Sequence, residues 1–259
     1  MWRLTTSWLA VGIAIVLTGL FGIGPSTAQD KEVVASLASM PQSAERDDQG
    51  NLHGAYVELI KGLDQLNGRK TKIIVAPFQR SVKNLIAGRA DFHIPLIKIP
   101  GVDVASLPYA FSSTTLFQVP FVLYTNAKKP LDLTRLGDYQ ILTDLAHVSF
   151  FPFKTKGSTC LPCAIKMVNT GRIDGFIFAQ NEIDPYIHTH RLANVRRQLY
   201  KNFDVKILIP KGPNGEALDR YFSEGIQTLK EQGLYDKLLA PVLFPYKEWQ
   251  PSDPGIFGG

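Results

Sequence analysis

One phrase occurs twice in this chain. Ile86–Pro95 reads IAGRADFHIP and Asn169–Phe178 reads NTGRIDGFIF. In each, a segment at helical spacing ends at Gly-Arg, one apolar residue follows, then an Asp, then a hydrophobic run. Glycine just past a helix tolerates positive φ. Aspartate satisfies backbone N–H groups in the turn before a strand. The phrase therefore reads as one helix-to-strand joint built twice, at Gly88 and Gly171. The alternative is chance similarity between two unrelated joints.

The segments around the first joint fit an α/β layer. Lys31–Ala38 is a strand, and Tyr56, Leu59, Ile60, Leu63 and Leu66 form the stripe of an amphipathic helix that stops at Gly68. Thr71–Ala76 is a β-branched strand. Pro77–Arg80 is a turn, followed by a short helix with Ser81 as its cap, and Asp91 introduces the next strand. This β-α-β-α-β order marks a mostly parallel sheet. Pro108–Asn126 is aromatic and β-rich, and a polar, proline-bearing stretch follows it. There the pattern restarts: QILTD as a strand, CLPCAIKMVNTG as a helix, IDGFIFA as a strand. Phe203–Gly212 leads back, and a long helix follows with Leu218, Phe222, Ile226 and Leu229 on one face. The tail from Trp249 reads as irregular and frayed.

The N-terminus reads as an export signal. Arg3 precedes the charge-free apolar run Trp8–Gly24, and small residues stand at Ser26 and Ala28. Cleavage is expected near Ala28, giving a periplasmic protein; an uncleaved membrane anchor is the other reading. The net charge of +5 is scattered, with no block of like charges, so no nucleic-acid stripe is expected. No P-loop, G-x-S-x-G or H-E-x-x-H motif occurs, and no enzyme, cofactor or metal is expected.

Cys160 and Cys163 are the only cysteines. Their C-x-x-C spacing at a helix start admits three readings: a disulfide in an oxidising compartment, a redox-active pair, or half of a zinc site. The zinc reading has only His188 and His190 to complete it. Ala164 follows Cys163 where covalent haem attachment needs a histidine. Neither cysteine lies where a lipid-anchored protein needs one.

The signal segment, PFQR…LIAGRAD, the aromatic crossing, GRIDGF and the closing LKEQGLYDKLL together resemble bacterial extracellular solute-binding proteins of family 3. These are the type II periplasmic receptors of ABC importers. The resemblance covers nearly the whole mature chain and rests on the order of its motifs. It implies an α/β fold of two lobes, 29–124 with 204–259 and 125–203, joined by a hinge of two crossing strands. A small-molecule ligand is held in the cleft, a permease is the partner, and the protein acts as a monomer. Amino-acid binders of this family usually carry an Arg shortly before an fS.pY stretch, where it grips the ligand's α-carboxylate; the matching region here, Lys98–Leu116, has no Arg.

Ligands of open α/β sheets sit at the carboxyl ends of strands, which selects loops independently. Arg80 presents a fork for a carboxylate or phosphate, with Phe78 as an apolar wall; a surface Arg near a helix start is the alternative. Ser112 and Ser113 offer hydroxyls at the hinge, or form a polar strand edge. Asp144 ends a strand, and Phe150 faces the cleft or the core. Gln180, Asn181 and Glu182 follow the IDGFIFA strand, as ligand contacts or as an exposed loop. The reading that competes with solute binding is a periplasmic redox or accessory factor working through Cys160 and Cys163.

Overall fold

The computed structural model describes residues 32–257 and Met1. The expected signal segment, residues 1–28, lies outside the described residues apart from Met1. The strands are β1 Val34–Ala38, β2 Glu45–Arg46, β3 Leu52–His53, β4 Lys72–Ala76, β5 Phe92–Lys98, β6 Ala110–Phe111, β7 Phe117–Asn126, β8 Ile141–Asp144, β9 Thr155–Ser158, β10 Gly175–Ala179 and β11 Val195–Ile209. The α-helices are α1 Ala55–Asn67, α2 Phe78–Ile86, α3 Leu161–Asn169, α4 Gln180–Thr189, α5 Pro213–Glu231 and α6 Tyr235–Leu239.

A continuous sheet runs β4-β1-β5-β11-β7-β10-β8-β9, with β6 also on β11. Its two ends are built alike. At one end β1 pairs in parallel with β4 and β5; at the other β8 pairs in parallel with β9 and β10. The long antiparallel pair β7–β11 joins them, matching Val195 to Asn126 at one extreme and Val205 to Phe117 at the other.

The repeated phrase is the same joint twice. Gly88 and Gly171 hold φ of 67° and 69°, the left-handed region where a side chain is strained. Asp91 accepts from the backbone N–H of Val34 at 2.8 Å, and Asp174 accepts from that of Gln140 at 2.8 Å. Each aspartate thus ties its joint to a segment outside it: Asp91 to β1, and Asp174 to the residue just before β8.

Three local expectations change. The turn Pro77–Arg80 is instead the N-cap and first turn of α2, which begins at Phe78. Ser81 cannot serve as the cap because the core uses it: fully buried, its hydroxyl meets Ser36 at 2.9 Å and His93 at 2.8 Å. Gln180–Glu182 open helix α4 rather than a loop. Pro185 reads as a breaker, yet buried Ile183 and Ile187 keep one face of this helix in the core.

The third change is at the C-terminus, which is docked. Residues beyond α6 run to the start of β11 and to α4. The Arg197 guanidinium, fully shielded from solvent, pairs with Asp184 through two contacts of 2.9 and 2.5 Å. It also donates to the carbonyls of Lys247 and Trp249, and the Trp249 ring covers it at 3.9 Å. The Gln250 side-chain amide accepts from the backbone N–H of Arg197 at 2.8 Å and donates to its carbonyl at 2.9 Å. Such contacts to a buried cation outweigh the fraying expected of a terminus.

Candidate functional site

Strand ends and helix starts meet at one groove. From one end of the sheet come Ser39 and Met40, after β1, and Pro77–Arg80, at the start of α2. From the other come Asp144 and Leu145, after β8, and Thr159 and Leu161, at the start of α3. The groove holds about 990 Å³ of empty space, part of it open to solvent. Helix α2 has Pro77 at its N-cap and no side-chain cap, so its first N–H groups lack a protein oxygen from that source. Two helix N-termini facing one groove favour negative charge there. Arg80 is exposed and, among the described residues, has no ion-pair partner. Asp144 is occupied: it accepts from Ala146 N at 2.8 Å and lies 3.4 Å from His147 Nδ1.

Met40 and Phe78 also line a second space deeper between the two ends of the sheet, about 340 Å³ and partly open to solvent. Its walls are mostly apolar. The His147 ring stands among Phe78, Phe121, Phe150 and Phe178, with centroids 4.7, 5.9, 4.9 and 5.3 Å away. The polar end of the chamber is Asn181 and Glu182, in the first turn of α4. Glu182 Oε1 accepts from Ser43 Oγ at 2.6 Å and from Asn181 Nδ2 at 2.8 Å. Glu182 Oε2 and Asn181 Oδ1 are buried without a hydrogen-bond partner. Burial pushes the Glu182 carboxyl up to about 8, against the pull of those two hydrogen bonds.

The residues selected from the sequence divide into three groups. Phe78, Arg80 and Asp144 meet in the groove, and Phe78 and Glu182 meet in the chamber. Phe150 packs behind His147, and Gln180 turns to the C-terminal segment, donating to the Phe244 carbonyl at 3.0 Å. Ser112 and Ser113 serve β11 and α5: Ser112 Oγ accepts from Ile207 N at 3.2 Å, and Ser113 N donates to Asp219 at 2.7 Å. Tyr56 and His147 line the chamber and were not selected. Tyr56 sits in an apolar helical stripe, where its hydroxyl was the available signal. His147 is masked by the phenylalanines that follow it.

Cys160 and Cys163 form a disulfide at the start of α3, where Cys160 Sγ accepts from Cys163 N at 3.2 Å. A Cys160→Ser, Cys163→Ser variant is expected to keep ligand affinity, since a serine also caps this helix. Its stability should fall by about 2 kcal/mol, the low end for so short a loop. Denaturant melting and ligand titration check both points. A variant that folds normally but no longer binds would move the working chemistry to this pair.

No protein-family model matches the chain, and no curated protein matches its sequence. Solved structures do match. A histidine kinase sensor domain with similarity to periplasmic binding proteins is 17% identical at a TM-score of 0.69, over 82% of this chain and 96% of that one. The substrate-binding protein of an amino acid ABC transporter is 17% identical at 0.64, over 82% and 98%. The arginine-, lysine-, histidine-binding protein ArtJ from Geobacillus stearothermophilus is 16% identical at 0.65, over 84% and 97%. Identities this low speak to fold. That fold is the two-lobed type II periplasmic-binding-protein architecture, with β7 and β11 as the crossing strands and the cleft between the lobes.

Proposed function

We propose that this chain is a periplasmic solute-binding protein that captures a small polar or anionic solute, amino-acid-like or another organic acid, for an ABC-type importer. The observation that carries this reading is the convergence, on the groove between the two ends of the sheet, of two helix N-termini and Arg80, which has no ion-pair partner among the described residues. In this reading the lobes are 29–124 with 204–259 and 125–203. They close by bending at β7 and β11, and the closed form is favoured because only there does the solute touch both lobes. The segment up to Ala28 is removed on export, and the mature monomer hands its solute to a permease. Among the described residues no helix is long and apolar enough to cross a membrane.

A melting screen of the mature protein against amino acids and small organic acids tests the reading. A true ligand at one hundred times its Kd stabilises by about 2.7 kcal/mol. For a chain of this length that is a rise of roughly 5–11 °C. A flat response to every acid and zwitterion in the panel would remove the anion-binding groove as the basis of function.

A further inference from the structure

We infer that the seam between α4 and the C-terminal segment is a second binding site, which takes a small uncharged aromatic molecule carrying one ring N–H or phenolic O–H. The first turn of α4 separates this seam from the chamber: Asn181 and Glu182 line the chamber, and Gln180 lines the seam. Helix α4 gives Gln180, Asp184 and Pro185 to one wall, and the C-terminal segment gives Phe244, Pro245 and Trp249 to the other. About 590 Å³ of empty space lies between them, part of it open to solvent. That is enough for a small-molecule site.

The seam holds an acceptor with nothing to accept from. Gln180 is 1% exposed, and its Oε1 is buried without a hydrogen-bond partner. The other end of the amide fixes this orientation. Nε2 donates to the Phe244 carbonyl at 3.0 Å, where an oxygen would face another oxygen. Buried polar atoms normally find partners, so the orphan points to a donor that arrives from outside. A water there would need about two to four polar partners. The walls offer proline and phenylalanine instead, and the Asp184 carboxylate is taken by Arg197 and Tyr124. The group that fits therefore brings one donor on an apolar body. Phe244 and Trp249, with the His188 ring 4.4 Å from that of Trp249, favour a flat aromatic one. Charge excludes an ammonium. Asp184 is already paired with Arg197, and exposed Lys247 lines the same space without an ion-pair partner among the described residues.

The test uses the mature full chain, wild type and Gln180→Met, with two probe pairs: phenol against anisole, and indole against 1-methylindole. The second member of each pair keeps the ring and loses the donor. Trp2 and Trp8 fall in the expected signal segment, so Trp249 is the one tryptophan of residues 29–259 and its fluorescence reports on the seam. Amide NMR locates the binding independently. The expected result is that phenol quenches Trp249 saturably, and that phenol and indole shift the amides of residues 180–188 and 244–249. Each should bind about 3- to 10-fold more tightly than its methylated partner, and Gln180→Met should erase that difference. Methylated probes binding as tightly as their parents, shifts confined to the groove and chamber, or no saturable binding by either pair would overturn the inference. A folded Gln180→Met variant that keeps the preference would overturn it too. If that variant does not fold, the donor comparison and the NMR map on the wild type decide. The solute groove is tested separately by Arg80→Ala, so either reading can fail while the other stands.

Discussion

Arg80→Ala should weaken binding of the groove's ligand by about one to two decades, because a charge-assisted hydrogen bond contributes roughly 1.5–3 kcal/mol and each decade is about 1.4 kcal/mol. Arg80 is exposed at the start of α2, without an ion-pair partner among the described residues. Removing it disturbs no internal contact of that kind, so the ligand-free melting temperature should hardly move. Arg80→Lys should restore only part of the affinity, since an ammonium lacks the planar fork that matches a carboxylate. Calorimetry with the solute found by the melting screen separates the outcomes. Wild-type affinity in Arg80→Ala would place the anion's anchor elsewhere.

Arg197→Ala has the opposite profile, a large loss of stability with little direct effect on the groove. The substitution strands the Asp184 carboxylate, which Arg197 holds by two contacts and Tyr124 by a third at 2.9 Å. Breaking a buried pair from one side costs about 3–5 kcal/mol. It also releases the carbonyls of Lys247 and Trp249 and the ring of Trp249, so the C-terminal segment should detach. The expected melting drop is about 2–4 °C for each kcal/mol lost. The sign with pH is fixed by Asp184. Burial already raises its carboxyl above the usual range, and the Arg197 hydrogen bond and charge oppose that rise. Without Arg197 the folded state holds its proton to still higher pH, so the deficit should grow as pH rises above the usual carboxylate range. Proteolysis of the tail in parallel with denaturant melts reads both effects. A variant with wild-type stability and a protected tail would show that the strap is held by its apolar contacts alone.

Much of the lobe architecture was legible because it is written in local periodicity. The stripe of α1, the face of α5 and the paired joints at Gly88 and Gly171 each need only neighbouring residues to be read. Arg80 and Phe78 were accessible too, since a strand's carboxyl end is identifiable from the strand alone. What was not legible depends on partners distant in sequence. Ser81 looks like a helix cap until Ser36 and His93 occupy its hydroxyl. The tail looks frayed until Arg197 receives it, 52 residues back from Trp249.

Glu182 shows the division most sharply. Its residue type and its place after a hydrophobic strand come from the chain itself. Its raised carboxyl comes from elsewhere: burial under the chamber walls pushes it up to about 8, while Ser43, 139 residues away, donates to one oxygen and pulls the other way. Periodicity determines which faces are apolar, because burial acts on every residue of a helix or strand in the same way. Long-range polar contacts are decided one pair at a time, by which loops the crossing strands β7 and β11 bring together. For that reason the sequence determined the two α/β lobes and their repeated joint, while only the tertiary structure decided which carboxyl would be buried beside the cleft.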